Sequence, residues 1–368
     1  MATNKNQHYV PRCYLKAFTY NSEGKAINVF NLDRSKCIPM APVKNQCSRD
    51  YFYGNNEKLE SAIQFVEQAY ASTSSELLEF PQAFNKKHEI VLKRFWLLQY
   101  LRTEASSRRS VEMSNGIGEA AGISAEEYNL GIKEAVLIAM KTYAECMSII
   151  DDLKVCLVLN KTECPFISSD DPAVLSNKWH LNDPRTKFKS FGLRSSGNLL
   201  FLPLSPKLLC LLYDGGVYSV SHKNGLASIS KKDDVKSFNE HQILNCRANV
   251  YLKDIEHEVF VVESIAECRD NRLVERHRTT YAVLESSNGD YSRYVVIDPT
   301  VAEEHEKAII HSETMHYHPT SWPIVIKWRN KGTVYTNGTG VGYVRKHHAV
   351  SELERFYKEP VRQNRPRA

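Results

Sequence analysis

The chain has 368 residues, of which 42% are apolar and 25% are charged, and it carries a formal net charge of +5. This mixture is typical of a globular protein and excludes an intrinsically disordered chain, while the length allows a core domain and a second, smaller domain. A charge of +5 on so long a chain does not by itself indicate nucleic-acid binding.

The sequence has no run of about 18 apolar residues, the length that a membrane-spanning helix needs, and its polar start lacks a signal-peptide pattern. The nine cysteines are scattered and are never spaced as C-x-x-C. This spacing predicts buried thiols in a reducing compartment and no zinc site. We therefore predict a cytoplasmic protein without a membrane partner.

The first half of the chain predicts a hairpin followed by helices. Aromatic and branched residues around Pro11 favour an extended segment over 8–18, and residues 26–33 alternate like a strand after a turn at 21–24. Apolar residues at helical spacing then predict helices over 57–80, 89–109 and 125–150. These helices form a central helical block.

Short apolar runs separated by turn-forming residues follow the helical block. They predict strands over 153–159, 165–167, 199–204, 208–213, 217–220 and 249–252. A helix is predicted over 231–245, before the last of these strands. Together the strands predict a mixed β-sheet.

The C-terminal region predicts a small appendage. Residues 264–278 are rich in charge, and beyond them we predict strands over 280–284, 291–297 and 324–328 and a helix over 301–310. The predicted fold class is α+β, with a core domain over 1–265, an α+β appendage over 270–350 and a basic tail over 351–368. The appendage is either a structural cap or a surface for a protein partner or nucleic acid.

The start of the chain contains a distinctive motif, which reads Gln7-His8-Tyr9-Val10-Pro11-Arg12 and continues as Tyr14-Leu15-Lys16-Ala17-Phe18. Further elements follow in order, namely 50–53, Glu60 with Glu67, Gln99 with Arg102, 165–172, 201–206 and Asn239 with Asn245. Over about residues 4–255 this order resembles an uncharacterised bacterial family, domain of unknown function 4238. One departure is Asp171, where that family more often has asparagine. The resemblance implies that these polar positions are the working residues, and the sporadic spread of the family in bacteria implies an accessory or antiviral-defence role.

Arg102 continues the apolar stripe of the second predicted helix, so its side chain should point into the core. A buried guanidinium needs anionic partners, for which Glu60, Glu67 and Asp170 are candidates. The arginine either forms a structural ion pair or binds an anionic ligand, since its planar fork fits phosphate and carboxylate groups. Gln99, one helical turn earlier, shares its face and could donate to the same ligand.

The carboxylates also allow two interpretations each. Glu60 and Glu67 lie two helical turns apart on one face, about 10 Å along the axis, and either face water or hold a group brought by another segment. Asp170 and Asp171 follow an apolar strand, where paired carboxylates can bind Mg²⁺ or Mn²⁺ or can form an Asx-turn.

His8 is the histidine of the motif with a setting suited to catalysis. An ordinary imidazole has a pKa near 6.5, which allows proton transfer at neutral pH. Arg12 and Lys16 follow at four-residue spacing and could stabilise a phosphate beside it. The alternative is a structural hydrogen-bond donor.

The polar set predicts a phosphodiester-acting hydrolase of the nuclease type, with its residues converging on one cleft. The predicted catalytic residues are His8, Glu60, Glu67, Asp170 and Asp171, and the two aspartates are also the predicted ligands of Mg²⁺ or Mn²⁺. The predicted substrate-binding residues are Gln7, Arg12, Lys16, Gln99 and Arg102, and the substrate is a nucleic acid or a small phosphorylated ligand. The alternatives are a non-catalytic, regulatory module that binds a nucleotide or another anion, and an internal network that only holds the fold together. The sequence lacks the P-loop, dinucleotide-binding, serine-hydrolase and zincin motifs, which disfavours those classes.

Overall fold

The computed structural model describes residues 5–187, 189–289, 291–301, 307–350 and 355–362. Within these ranges the α-helices are α1 (Arg12–Leu15), α2 (Glu57–Glu79), α3 (Lys86–Arg102), α4 (Glu104–Ala120), α5 (Ile132–Glu145), α6 (Lys178–Asn182), α7 (Lys232–Asn245) and α8 (Glu258–Cys268). The strands are β1 (Asn6–His8), β2 (Ala26–Asn31), β3 (Lys36–Pro42), β4 (Ser48–Asp50), β5 (Lys154–Asn160), β6 (Ser168–Ser169), β7 (Val174–Ser176), β8 (Leu199–Ser205), β9 (Leu208–Tyr213), β10 (Tyr218–Val220), β11 (Leu226–Ile229), β12 (Asn249–Leu252), β13 (His277–Asn288), β14 (Tyr291–Val296), β15 (Ala308–Thr314), β16 (Ile326–Trp328), β17 (Thr333–Thr336), β18 (Tyr343–Val344) and β19 (Tyr357–Pro360). The predicted α+β fold class is confirmed.

The central sheet has the strand order β11-β5-β9-β8-β7 and is mixed, because β11 pairs with β5 in parallel while the other pairs are antiparallel. Both of its faces are buried. Alternate residues belong to two hydrophobic clusters, with Cys156 and Phe201 on one face and Leu157 and Leu202 on the other. A strand buried on both faces needs apolar residues at every position, which explains the unbroken apolar runs in this part of the sequence.

Helices cover the two faces of this sheet. On one side α2 and α3 pack through the stacked rings of Tyr70 and Phe95, whose centroids lie 3.6 Å apart. The indole Nε1 of Trp96 in α3 donates to the carbonyl oxygen of Phe201 in β8, at 3.1 Å. On the other side, α7 contributes Phe238 and Leu244 to the core. A second sheet of order β3-β2-β12-β6 contains the strand predicted over 26–33 as β2. This strand forms a hairpin with β3, which follows it, and not with the preceding segment over 8–18 as predicted.

The prediction of an extended segment over 8–18 is wrong beyond Pro11. Pro11 has extended backbone angles, with φ −71° and ψ 149°, and α1 begins at the next residue. A proline that would break the interior of a helix is compatible with its start, because the first N–H groups of a helix have no partner within it. The motif therefore turns sharply after β1 and continues as a helical turn.

The predicted helix over 57–80 is confirmed as α2, but the one over 89–109 is divided at Thr103. Thr103 has an extended backbone with ψ 158°, and its hydroxyl accepts a hydrogen bond from the Ser106 amide at 3.1 Å, which caps α4. This break ends α3 at Arg102. The helix predicted over 125–150 is shorter in the structure, as α5.

The C-terminal appendage packs onto the rest of the molecule. The sheet of β14, β13 and β15 lies against α4, and β16 pairs with β10. Ile326 and Val334 belong to the same hydrophobic cluster as the central sheet. The charged segment predicted over 264–278 begins inside α8, which the sequence pattern did not predict. The division into domains at residue 265 stays a prediction.

The predicted helix over 301–310 is wrong where the structure describes it, because residues 308–310 belong to β15 and pair with β13. Residues 302–306 of that prediction lie outside the described residues. The same holds for 351–354 and 363–368 of the predicted basic tail.

Candidate functional site

Gln7 ties the N-terminal motif to the start of α2. Strand β1 pairs with β4, which places the buried amide of Gln7 beside the loop that leads into α2. The amide oxygen of Gln7 accepts a hydrogen bond from the Tyr53 backbone N–H at 2.6 Å. Its Nε2 donates to the Gly54 carbonyl at 3.0 Å and to the Glu60 carboxylate. Protein groups thus occupy the side chain that we predicted to bind substrate.

A cavity of about 220 Å³ opens where the motif meets α2. We call it the N-terminal cavity, and its walls are Asn6, Gln7, His8, Pro11, Arg12, Cys13, Tyr53, Glu60, Ile63, Gln64 and Glu67. Gln7 therefore meets four other predicted catalytic or substrate-binding residues here, namely His8, Arg12, Glu60 and Glu67. The fold brings them together through two local elements, the turn after Pro11 and the first three turns of α2.

Arg102 lies behind this cavity and is fully buried. Its Nη1 donates to Glu67 Oε1 at 2.8 Å. With the Gln99 amide turned so that its oxygen faces the guanidinium, that oxygen accepts from Arg102 Nη2 and Nε, each at 2.8 Å. The hydroxyl of Tyr53 is a further hydrogen-bond partner of Arg102. Of the three carboxylates predicted as partners of Arg102, Glu67 is the one that pairs with it, and the guanidinium is occupied by the protein.

His8 differs from these residues because part of its ring has no partner. Burial lowers the pKa of His8 below the ordinary 6.5, and a hydrogen bond to the Val43 backbone and the nearby Glu67 carboxylate oppose that effect. The guanidinium groups of Arg12 and Arg102 lower the pKa further. The Nε2 atom is enclosed by protein and has no hydrogen-bond partner among the described residues. The imidazole is therefore mainly neutral at pH 7, and its Nε2 is left without a partner.

The two remaining basic residues of the motif have different positions. Arg12 is exposed in the wall of the N-terminal cavity, and no described carboxylate forms an ion pair with it. Lys16 is also exposed, but its stem lies against Gly24, outside the residues that line the cavity. Arg12 is thus the available cation of this site.

Cys13 and Tyr53 line the cavity without having been predicted as site residues, although Tyr53 lies in the segment 50–53 that carries part of the resemblance. Burial, with the Glu67 carboxylate nearby, raises the pKa of the Cys13 thiol to about 11. Burial likewise raises the pKa of Tyr53 to about 12. Both groups stay protonated at neutral pH, so neither is an activated nucleophile.

Asp170 and Asp171 lie apart from the N-terminal cavity. Both oxygens of Asp170 accept backbone N–H groups, from Arg247 at 2.8 Å and from Ala248 and Asn249 at 2.9 Å. Burial raises the pKa of Asp170 to about 6, although these three N–H groups lower it. The carboxylate thus fixes the turn that precedes β12.

Asp171 is fully buried in what we call the strand-end cluster, Asp171 with Thr103, Arg109 and Asn245. Its carboxylate accepts the Thr103 hydroxyl and Arg109 Nη1, each at 2.6 Å, and Asn245 Nδ2 at 3.0 Å. The sequence did not single out Arg109, which lies two helical turns beyond Arg102 across the break at Thr103. The predicted site residues therefore divide into two groups and do not share one cleft.

A divalent cation does not fit the aspartate pair as it stands, because every oxygen of the two carboxylates already accepts a hydrogen bond from the protein. Within the described ranges, no group of three or more histidine, cysteine, aspartate or glutamate side chains is arranged to hold a metal ion. The predicted Mg²⁺ or Mn²⁺ site stays a prediction, and the function proposed below contains no metal step.

The fold and the site define an α+β protein in which an N-terminal motif, fixed by a buried glutamine and backed by an arginine–glutamate pair, forms one wall of a small polar cavity. A family model described as Protein of unknown function (DUF4238) matches residues 6–256, and the chain belongs to this family. The match includes the N-terminal cavity and the strand-end cluster and ends before the appendage. No curated protein and no solved structure matches the chain. Among the described residues, no helix combines the length and apolar character needed to cross a membrane.

Proposed function

We propose that the chain is a phosphodiester-acting hydrolase, of nuclease type, whose reaction takes place at the N-terminal cavity. The observation that carries the proposal is the position of His8, whose enclosed Nε2 has no partner, in the same cavity wall as the unpaired guanidinium of Arg12. Seven other enclosed side-chain atoms among the described residues also lack a partner, each at a cost of about 1–3 kcal/mol, and none of them belongs to this wall.

His8 and Arg12 supply complementary parts of phosphodiester cleavage. His8 takes the proton of the attacking hydroxyl, which belongs to water or to a ribose 2′-OH. The attacking oxygen bonds to phosphorus, the opposite P–O ester bond breaks, and the leaving alkoxide takes a proton from water. Arg12 binds the non-bridging oxygens, where negative charge increases in the transition state.

Glu67 and Arg102 position this pair without touching substrate. The Glu67 carboxylate raises the pKa of His8, so it stabilises the imidazolium that forms when His8 accepts a proton. Arg102 holds Glu67 in place through the 2.8 Å ion pair. Glu60, held by Gln7, limits the other end of the cavity.

The size of the cavity favours a polymeric substrate. Its volume of about 220 Å³ is below that of pockets which enclose a whole small-molecule ligand. A single phosphodiester and its adjoining sugar fit such a space, while the rest of a strand lies outside it. RNA and DNA are therefore the first substrates to test.

The experiment is to incubate the purified full chain with end-labelled RNA, with DNA and with an aryl phosphodiester, in EDTA and in Mg²⁺. We expect cleavage that persists in EDTA and falls at least about a hundredfold in His8→Gln, since general-base catalysis contributes about 10²–10⁴-fold. Arg12→Gln should lose a comparable factor. Lys16→Gln removes an exposed cation of the same motif outside the cavity and is the matched control, for which we expect the wild-type rate. Absence of cleavage of all three substrates, or cleavage unaffected by His8→Gln, would contradict the proposal.

A second candidate is the non-catalytic, anion-binding module, and the enclosure of His8 Nε2 is the observation that favours it. The Nε2 atom of a neutral His8 can accept a hydrogen bond from a ligand hydroxyl without proton transfer taking place. This function predicts a rise in melting temperature with nucleotides or inorganic phosphate, abolished by Arg12→Gln, and no product. The predicted cytoplasmic location and antiviral-defence role stay predictions.

A further inference from the structure

A groove of about 720 Å³ lies between the central sheet and the C-terminal appendage, and its walls are basic. We call it the basic groove. It is lined by Lys154 at the start of β5, Arg329 and Lys331 in the loop after β16, Lys346 after β18 and Lys358 in β19. All five side chains belong to exposed residues. They come from four separate segments, so the fold rather than the local sequence gathers them.

The two carboxylates in the groove do not neutralise these cations, because each has a structural partner. Asp152 binds the buried Arg345, with Oδ2 2.7 Å from Nε and Oδ1 3.0 Å from Nη2. Asp214 accepts the backbone N–H groups of Gly197 at 2.8 Å and Gly216 at 2.7 Å. Both carboxylates thus form hydrogen bonds that hold the floor of the groove together.

The five cations on the walls form no ion pair with any described carboxylate. Like charges gathered without counter-charges repel one another and contribute nothing to the stability of the fold. With its six basic and two acidic side chains, the lining of the groove carries a formal charge of +4, against +5 for the whole chain. Such a surface is arranged for an anionic partner.

We infer that the basic groove binds the phosphate backbone of single-stranded nucleic acid. Five cations spread along an open groove fit a series of phosphates better than one small anion. Tyr335 of β17 is half-buried in the groove and pairs across the sheet with Lys358, so an aromatic ring lies beside a phosphate-binding lysine. This combination of a cationic track and a stacking surface is typical of proteins that bind single strands without sequence preference.

This inference goes beyond the proposed hydrolysis and does not depend on it, because binding at the groove is measured separately from cleavage at the N-terminal cavity. The full chain is titrated against labelled single-stranded RNA and DNA of about 20 nucleotides, followed by fluorescence anisotropy at several salt concentrations. If all five cations contact phosphates, the slope of log K against log salt should be about −3.5. All proteins in this titration carry His8→Gln, which removes the proposed cleavage, so the labelled strand stays intact and a failure of the hydrolase proposal leaves the measurement unaffected.

The decisive variant replaces three lysines of the groove, K331A/K346A/K358A. We expect it to bind at least about tenfold more weakly and to reduce the salt slope by about 2. The matched control, K133A/K161A/K223A, removes the same charge from exposed lysines elsewhere and should bind within about twofold of the wild type. Because all six positions are exposed, both variants should keep the wild-type melting temperature.

Three results would overturn the inference. Equal weakening by the two triple variants would show that only net charge matters. Absence of binding at low salt would show that the groove has no affinity for the strand. Groove-dependent binding to vesicles with anionic lipids, without binding to the oligonucleotides, would assign the groove to a membrane surface instead.

Discussion

The N-terminal cavity and the strand-end cluster are built from the same kinds of side chain, yet they differ in what their polar atoms have left to bind. In the strand-end cluster, Asp171 has three hydrogen-bond partners and no exposure to solvent. At the cavity, Glu67 also pairs with an arginine, but beside that pair His8 has an unpartnered nitrogen and Arg12 has no ion pair among the described residues. Residue type alone therefore does not separate a site from a structural network. What distinguishes the cavity is that an unpartnered nitrogen and an unpaired guanidinium lie in one cavity wall.

The comparison is tested most strongly by removing the central carboxylate of the strand-end cluster. Asp171→Ala leaves Arg109 partly buried without its anion and removes acceptors from Thr103 and Asn245, so we expect the free energy of unfolding to fall by about 3–5 kcal/mol. Urea unfolding followed by circular dichroism measures this.

Two further variants serve as comparisons for Asp171→Ala. Asp171→Asn keeps an acceptor for Thr103, so it should lose clearly less stability than the alanine variant. Asp33→Ala removes an exposed carboxylate and should change the free energy of unfolding by no more than about 0.5 kcal/mol. A loss at Asp171 as small as that at Asp33 would show that the strand-end cluster is not structural.

The sequence predicted features that depend on neighbouring residues and missed those that depend on residues far apart in the chain. Helix α2 was predictable because its apolar residues follow one helical period over 23 residues. The need of Arg102 for an anionic partner followed from the physics of a buried guanidinium, but the sequence left three candidates, and the fold selects Glu67. The partners of Asp171 were not predictable, since Arg109 and Asn245 lie 62 and 74 residues away along the chain and only the fold brings them close.

The same reason explains the errors in the appendage. Residues 308–310 have an apolar pattern that a helix or a strand can satisfy, and their pairing with β13 decides between the two. The basic groove was missed because its cations come from segments that carry no shared local signal. The break at Thr103, whose hydroxyl caps α4, was also missed, because the helical periodicity did not reveal it.

At the N-terminal cavity we expect a smaller change in the free energy of unfolding than for Asp171→Ala, and in the opposite direction. His8→Phe removes a nitrogen whose missing partner costs about 1–3 kcal/mol, and it also removes the hydrogen bond to Val43, worth about 1 kcal/mol. We therefore expect the free energy of unfolding to stay the same or to rise by up to about 2 kcal/mol, while cleavage is lost. Parallel urea unfolding and cleavage assays measure the two effects. A loss of about 2 kcal/mol or more would mean that His8 is structural, like Asp171.

The smallest predicted effect is on the pH dependence of cleavage. It distinguishes a His8 that acts as the general base from one that does not. If neutral His8 is the general base, kcat/KM is constant at neutral pH and falls on acidification, with a midpoint below 6.5, because the pKa of His8 is lowered by burial. Glu67 raises that pKa, so Glu67→Gln should move the midpoint to still lower pH while its amide oxygen continues to accept from Arg102. Glu79→Gln neutralises an exposed carboxylate at the other end of α2 and should leave the midpoint where it is.

Profiles of kcat/KM against pH for the wild type, Glu67→Gln and Glu79→Gln test this prediction. A midpoint above 6.5, or one that Glu67→Gln does not move, would remove His8 from the role of base and leave the cavity as a site that only binds.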